Sequence, residues 1–175
     1  MTSAPDSEPS ARLFIGLWPD EAVRAALLAH QQQWVWPQRV ALVSPDRLHL
    51  TLHFLGDVPR PRMPELAQGL AVSFERFDLQ LDLAERWAGG VAVLQPVVPP
   101  LALAALYERL RAALEGLHQP LQRESLRPHV TLARHAQGAL PPQRVAPIRW
   151  RVKGYALIES DRRPPSHYRV IRSFR

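Results

Sequence analysis

Apolar residues fall along this chain in short runs punctuated by proline, glycine and charge, and the spacing within each run predicts its structure. Residues 12–18, RLFIGLW, form a run of strand length, after which Pro19 and Asp20 signal a helix start and Val23, Leu27 and Trp34 carry a helical pattern. Residues 48–56, LHLTLHFLG, read as a strand closed by Gly56 and Asp57. Pro64 opens a second helix in which Leu66, Leu70 and Phe74 recur every four residues. Residues 77–87, FDLQLDLAERW, alternate at their start and read as one strand. The strongest helix spans 101–120, with Leu103, Leu106, Tyr107, Leu110, Leu114 and Leu117 on one side and Gly116 and Pro120 ending it. Residues 129–133, 149–159 and 167–174 complete the strands. Residues 1–11 are small, polar and proline-containing and read as a disordered tail. No linker divides the remaining 12–175, so the pattern predicts one compact α+β domain with an internal duplication.

The duplication is visible in two short stretches. HLTL at 49–52 and HVTL at 129–132 each place a threonine two residues after a histidine, in a chain with three threonines and seven histidines. On a strand, alternate side chains share a face, so His49 and Thr51 point opposite to Leu50, Leu52 and Phe54, and His129 and Thr131 opposite to Val130 and Leu132. The leucines face the core. Each copy then offers an imidazole and a hydroxyl about 7 Å apart along the strand, a spacing suited to gripping a small anion. Either copy alone reads as a surface histidine beside a good strand former. The pair, flanked by Arg127 and Arg134, reads as a site.

Charge strengthens this picture. The formal net charge is +6, and all but one of the 22 basic residues are arginine, Lys153 being the exception. A GC-rich genome is one source of such a bias. Its outcome is a guanidinium-rich surface suited to bidentate phosphate contacts and to steering a polyanion.

Other chemistries are harder to place. The chain has no cysteine, which removes disulfides, thiolate nucleophiles and cysteine-ligated metal centres and favours an intracellular, cytoplasmic location. His49 and His53 have the spacing of a helical zinc pair, but on a strand they lie about 13 Å apart, too far to share an ion at about 2 Å. His53 is expected at the rim of the site or at the strand's end. No phosphate-cradling glycine cluster, G-x-S-x-G elbow or H-E-x-x-H element is present. The apolar stretch 91–110 is broken by Pro96, Pro99 and Pro100, so no membrane span is expected. What remains is a pair of histidines acting as general acid and base, groups whose ordinary pKa of about 6.5 suits the task.

The two H-x-T-hydrophobic tetrads, 80 residues apart, resemble the paired signature of the 2H phosphoesterases. Together with RLFIGLWPDEAVRAAL, RPHVTLAR and the closing LIESDRRPPSHYRVIRSF, they resemble the bacterial and archaeal RNA 2',3'-cyclic phosphodiesterases, a group also known as 2'-5' RNA ligases. The resemblance implies a bilobal, pseudo-symmetric α+β fold, two antiparallel sheets backed by helices around a central cleft. It implies metal-independent hydrolysis of a terminal 2',3'-cyclic phosphate to a 2'-phosphomonoester, with RNA as partner, no cofactor and a monomeric chain. It implies His49 as proton donor to the departing 3' oxygen, His129 as proton acceptor from water, and Thr51, Thr131 and Arg134 as the phosphate-binding groups. Phe14 and Tyr168 are candidates for base stacking, and Arg127 for the rim. His53 and Pro165 depart from the family pattern at positions outside the tetrads. Two other readings stay open: an arginine-rich RNA or nucleotide binder without turnover, and a related phosphodiesterase acting on small cyclic nucleotides or 2'-5' oligonucleotides.

Overall fold

The computed structural model describes residues 9–121, 125–161, 163 and 167–175; the first eight residues of the expected tail and Pro165 lie outside them. The described elements run β1 (Ser10–Leu17), α1 (Glu21–Gln31), β2 (Ala41–Leu42), β3 (Leu50–Pro59), α2 (Met63–Gly69), β4 (Phe77–Leu81), β5 (Leu83–Trp87), β6 (Val91–Gln95), α3 (Leu101–Gly116), β7 (Val130–Arg134), β8 (Ile148–Val152), β9 (Tyr155–Asp161) and β10 (His167–Phe174). Short 3-10 turns over Pro45–Arg47 and Arg60–Arg62 lead into β3 and α2.

The strands form two halves of four. β10-β9-β1-β3 make one, and β7-β6-β5, with β2 on the outer part of β7, make the other. They meet through a single antiparallel pair, Leu50 with Val130, so the expected two sheets are continuous through the middle of the molecule. Both residues are fully buried. Burying such side chains contributes about 1.5–3 kcal/mol each, and a one-residue slip would exchange the core and cleft faces, so the apolar pattern pins the register that joins the halves. α3 packs on β3 and α2, while α1 packs on β8 of a separate two-stranded ribbon, β4-β8.

Local chemistry explains the helices. The Asp20 side chain accepts from the Val23 amide at 3.0 Å, capping α1 where the sequence places its start. Leu103, Leu106, Tyr107, Leu110 and Leu114 form the buried face of α3. α1 and α2 stop short of Trp34 and Phe74, which still pack in the core from the segments beyond each helix.

Three expectations are corrected. Ser10 and Ala11 belong to β1 and not to a tail: they pair with Pro59 and Val58, and Ala11 is buried. The single strand expected over 77–87 breaks at Asp82, whose amide donates to the Gln95 carbonyl at 3.1 Å and whose carboxylate accepts from the Val97 amide at 2.8 Å. β4 and β5 consequently join different sheets. The strand expected over 149–159 likewise divides at Lys153 and Gly154, where a Cβ on Gly154 would run into the Phe174 carbonyl. β6 lacks the alternating pattern by which a strand is read from sequence, and only the structure reveals it. Among the described residues no helix is long and apolar enough to cross a membrane.

Candidate active site

The Leu50–Val130 pair builds the site. An antiparallel pair has a local two-fold axis between its strands, and here that axis relates 49 to 129 and 51 to 131. His49 stands across from Thr131, and Thr51 across from His129. With Leu50, Leu52, Val130 and Leu132 committed to the core, all four polar side chains project from the opposite face. They line one cleft of about 600 Å³ together with Arg134, Arg12, Arg47, Phe54 and Tyr168. No carboxylate is among the described residues that line it.

Each histidine precedes its strand by one residue and is held by the carbonyl two residues before it. His49 Nδ1 lies 2.7 Å from the Arg47 carbonyl, and His129 Nδ1 lies 2.6 Å from that of Arg127. A carbonyl only accepts, so each Nδ1 carries the proton and donates, which leaves Nε2 as the unprotonated nitrogen of each neutral ring. In the neutral tautomer His49 Nε2 accepts from the Thr51 hydroxyl at 3.0 Å.

Aromatic rings wall the imidazoles. Around His49 stand Phe14 at 4.7 Å, Tyr168 at 5.3 Å and Trp18 at 5.9 Å between centroids, Trp18 nearly parallel to the imidazole. Trp87 lies 4.4 Å from His129. Burial is therefore the main cause that pushes the His49 pKa down to about 4; the Arg47 carbonyl opposes it, and the charges of His129, Arg47 and Arg134 add to it. Burial also lowers His129, opposed by the Arg127 carbonyl and reinforced by Arg127 and Arg134. Both shifts favour the neutral imidazole. A bound phosphate anion would offset the arginine charge and favour the imidazolium.

Not every expected residue reaches the cleft. β3 carries a bulge at Leu52: Thr51 pairs with Gly16 and His53 with Ile15, so the residue between has no partner of its own. The bulge reverses the facing of His53 and Phe54, and a second bulge at Leu55 restores it. His53 faces α3, where its ring stacks on Tyr107 at 4.1 Å and its Nε2 donates to the Tyr107 carbonyl at 2.9 Å, and it lines an adjoining pocket with Thr51, Arg127 and His129. Phe54, expected in the core, turns into the cleft beneath the Arg12 guanidinium at 4.2 Å. Phe14 lines the cleft where it packs on His49, but at 3% exposed it is almost fully covered. Tyr168 is half-buried and lines the cleft, with the Arg47 guanidinium 4.8 Å from its ring. Arg127 lies 3.6 Å over Trp87 and acts on His129 through its carbonyl and charge.

The sequence reading missed Arg12, Trp18, Arg47, Phe54 and Trp87. For Arg47 a signal existed: the repeat extends to R-x-H-x-T-L at 47–52 and 127–132. Each copy's arginine supplies the carbonyl for its histidine and covers an aromatic ring that touches that histidine. Trp87 carries no such signal, because only the β5-β6-β7 register brings it beside His129.

A family model described as the 2'-5' RNA ligase superfamily matches residues 30–164, which include both tetrads and Arg134. The chain belongs to that superfamily. An RNA 2',3'-cyclic phosphodiesterase of Thermus thermophilus is 33% identical over 93% of this chain and 89% of its own length. An RNA 2',3'-cyclic phosphodiesterase of Escherichia coli is 35% identical over 78% of this chain and 79% of its own. Among solved structures, E. coli LigT complexed with phosphate superposes with a TM-score of 0.79 at 26% identity, covering 96% of this chain and 98% of LigT. The superfamily membership agrees with the α+β fold of antiparallel strands backed by helices.

Proposed function

We propose that this protein is an RNA 2',3'-cyclic phosphodiesterase that opens a terminal 2',3'-cyclic phosphate to a 2'-phosphomonoester through its two histidines. The observation that carries the reading is that both Nδ1 atoms are tied to carbonyls while both histidines line one arginine-rich cleft with no carboxylate among its described lining residues. Its relatives' activity and the phosphate held by LigT support it.

In the proposed reaction the cyclic phosphodiester lies between the two Nε2 atoms. Its charge favours protonation of His49, and the Thr51 hydroxyl is then released from Nε2 to donate to a non-bridging oxygen, as Thr131 does from the other strand. Water attacks phosphorus in line with the bond to the 3' oxygen, and His129 Nε2 takes the water proton. As that bond breaks, His49 Nε2 gives its proton to the 3' oxygen. Arg134 stabilises the charge growing on the non-bridging oxygens. One water is consumed and a 2'-phosphate remains; proton exchange with solvent resets the pair. A 5'-hydroxyl in place of water would form a 2'-5' linkage by the same proton transfers.

Catalysis without a metal belongs to the same proposal, supported by the finding that no three or more His, Asp or Glu among the described residues stand together to hold an ion. So do cytoplasmic location and a monomeric state. The test is incubation of an oligoribonucleotide ending in a 2',3'-cyclic phosphate in the presence of EDTA. Conversion to the 2'-phosphate is expected. Loss of activity on chelation, restored by zinc or manganese, would overturn metal independence, and binding without turnover would reduce the protein to an RNA-binding module.

A further inference from the structure

Trp18 has two sides. It stacks on His49, and it also lines a second groove, of about 460 Å³, formed by the loop into α1, the ends of β8 and β10, and the start of β4. This groove carries Arg76, Arg151, Lys153 and Arg175 with Trp150 beside them. Arg151 is 2.8 Å from Asp78, but Arg76, Lys153 and Arg175 form no ion pair among the described residues. Among the described lining side chains the carboxylate of Asp20 is engaged in capping α1. The chain's single lysine and its neighbouring arginines thus surround a basic, tryptophan-edged groove separated from the catalytic histidine by one indole.

We propose that this groove holds the RNA strand upstream of the reacting end, its cations facing the backbone phosphates. The inference rests on the proposed reaction and on in-line geometry. Water and the departing 3' oxygen occupy opposite sides of phosphorus, so the ribose, and the strand attached through its 5' oxygen, lie on the side of the acid. That side is His49, and the basic groove opens beyond His49 across Trp18. A strand leaving there exchanges solvent counterions for fixed cations, and the half-buried Trp18 supplies π surface of the kind on which single-stranded bases stack.

The test compares uridine 2',3'-cyclic phosphate, which ends at the cleft, with an eight-nucleotide RNA bearing the same end. The variant is Arg76→Gln/Lys153→Gln, both exposed residues without a structural role. KM for the RNA should rise about tenfold, while KM and kcat for the mononucleotide stay as in the unsubstituted protein. The plot of log Kd against log salt for the RNA should flatten by about 1.4, the value for two lost contacts to a single strand. Equal effects on both substrates, or an unchanged RNA KM and salt slope, would overturn the proposal. Binding of the 2'-phosphate-ended RNA, measured by fluorescence anisotropy, reads the same difference without turnover. Failure of the reaction itself is therefore distinguished from failure of the strand path.

Discussion

If burial, aided by the charges of the cleft, keeps His49 neutral until an anion arrives, substrate binding must draw a proton from solvent. The perturbation is the binding of uridine 2',3'-cyclic phosphate to the His129→Asn variant, which removes both turnover and the second titrating ring. The ligand carries one negative charge and titrates nothing of its own between pH 4 and 8. In the empty cleft His49 has its pKa pushed down to about 4, so at pH 6 only about 1% of it is protonated. A phosphate oxygen taking the place of the Thr51 hydroxyl would sit near its 3.0 Å distance from Nε2. A unit anion about 4 Å away at an effective dielectric of about 20 is worth about 4 kcal/mol, or about 3 pKa units, enough to restore the ordinary value. At a restored pKa of about 6.5, three-quarters of the ring is protonated at pH 6, so binding should take up about 0.7 proton. Because the bound state holds the extra proton, affinity strengthens as pH falls from about 6.5 toward 4 and levels off below. Calorimetry in buffers of different ionisation enthalpy measures the uptake, and His49→Asn in the same background should abolish it. Measurable binding with less than about 0.1 proton taken up would refute the account of how the cleft tunes His49.

Four further outcomes are expected. Sulfur in place of the 3' oxygen should largely rescue His49→Ala and not His129→Ala, each of which should lose about a hundredfold or more on the natural substrate; equal rescue would cancel the division of roles. Arg134→Lys should lower kcat/KM about tenfold or more, because a forked donor becomes a point charge, and near-normal kinetics would remove Arg134 from the site. Thr51→Val should cut turnover while leaving the thermal unfolding midpoint within a few degrees, since the strand shape is kept; gross unfolding would make the threonine structural. Leu50→Ala should cost about 2–5 kcal/mol by denaturant titration, for it empties a fully buried position at the joint between the halves.

Much of the candidate site is legible in the chain itself. A histidine and a threonine at i and i+2 with leucines between them specify one polar and one apolar face on a strand, and that period of two needs no tertiary information. The duplication of the tetrads likewise points to His49, Thr51, His129 and Thr131 as one group. Beyond Leu52 the same logic fails. A bulge adds one residue and reverses the facing of His53 and Phe54 until a second bulge at Leu55, and both positions depend on how β3 pairs with β1, which the residues of β3 do not encode. Strict alternation therefore puts His53 at the rim and Phe54 in the core, the reverse of where they lie.

Amino-acid order alone determined most of the elements, the duplication and the pairing of two imidazoles with hydroxyls and arginine, groups suited to phosphate. Tertiary structure decided which way those groups are tuned and what surrounds them. The Arg47 and Arg127 carbonyls select Nε2, Phe14 and Trp18 desolvate His49, and Trp87 reaches His129 across a neighbouring strand. Most of these effects arise between residues far apart in the chain. Local periodicity can state which face a side chain leaves from, but burial, tautomer and proton affinity depend on what the completed sheet sets against that face.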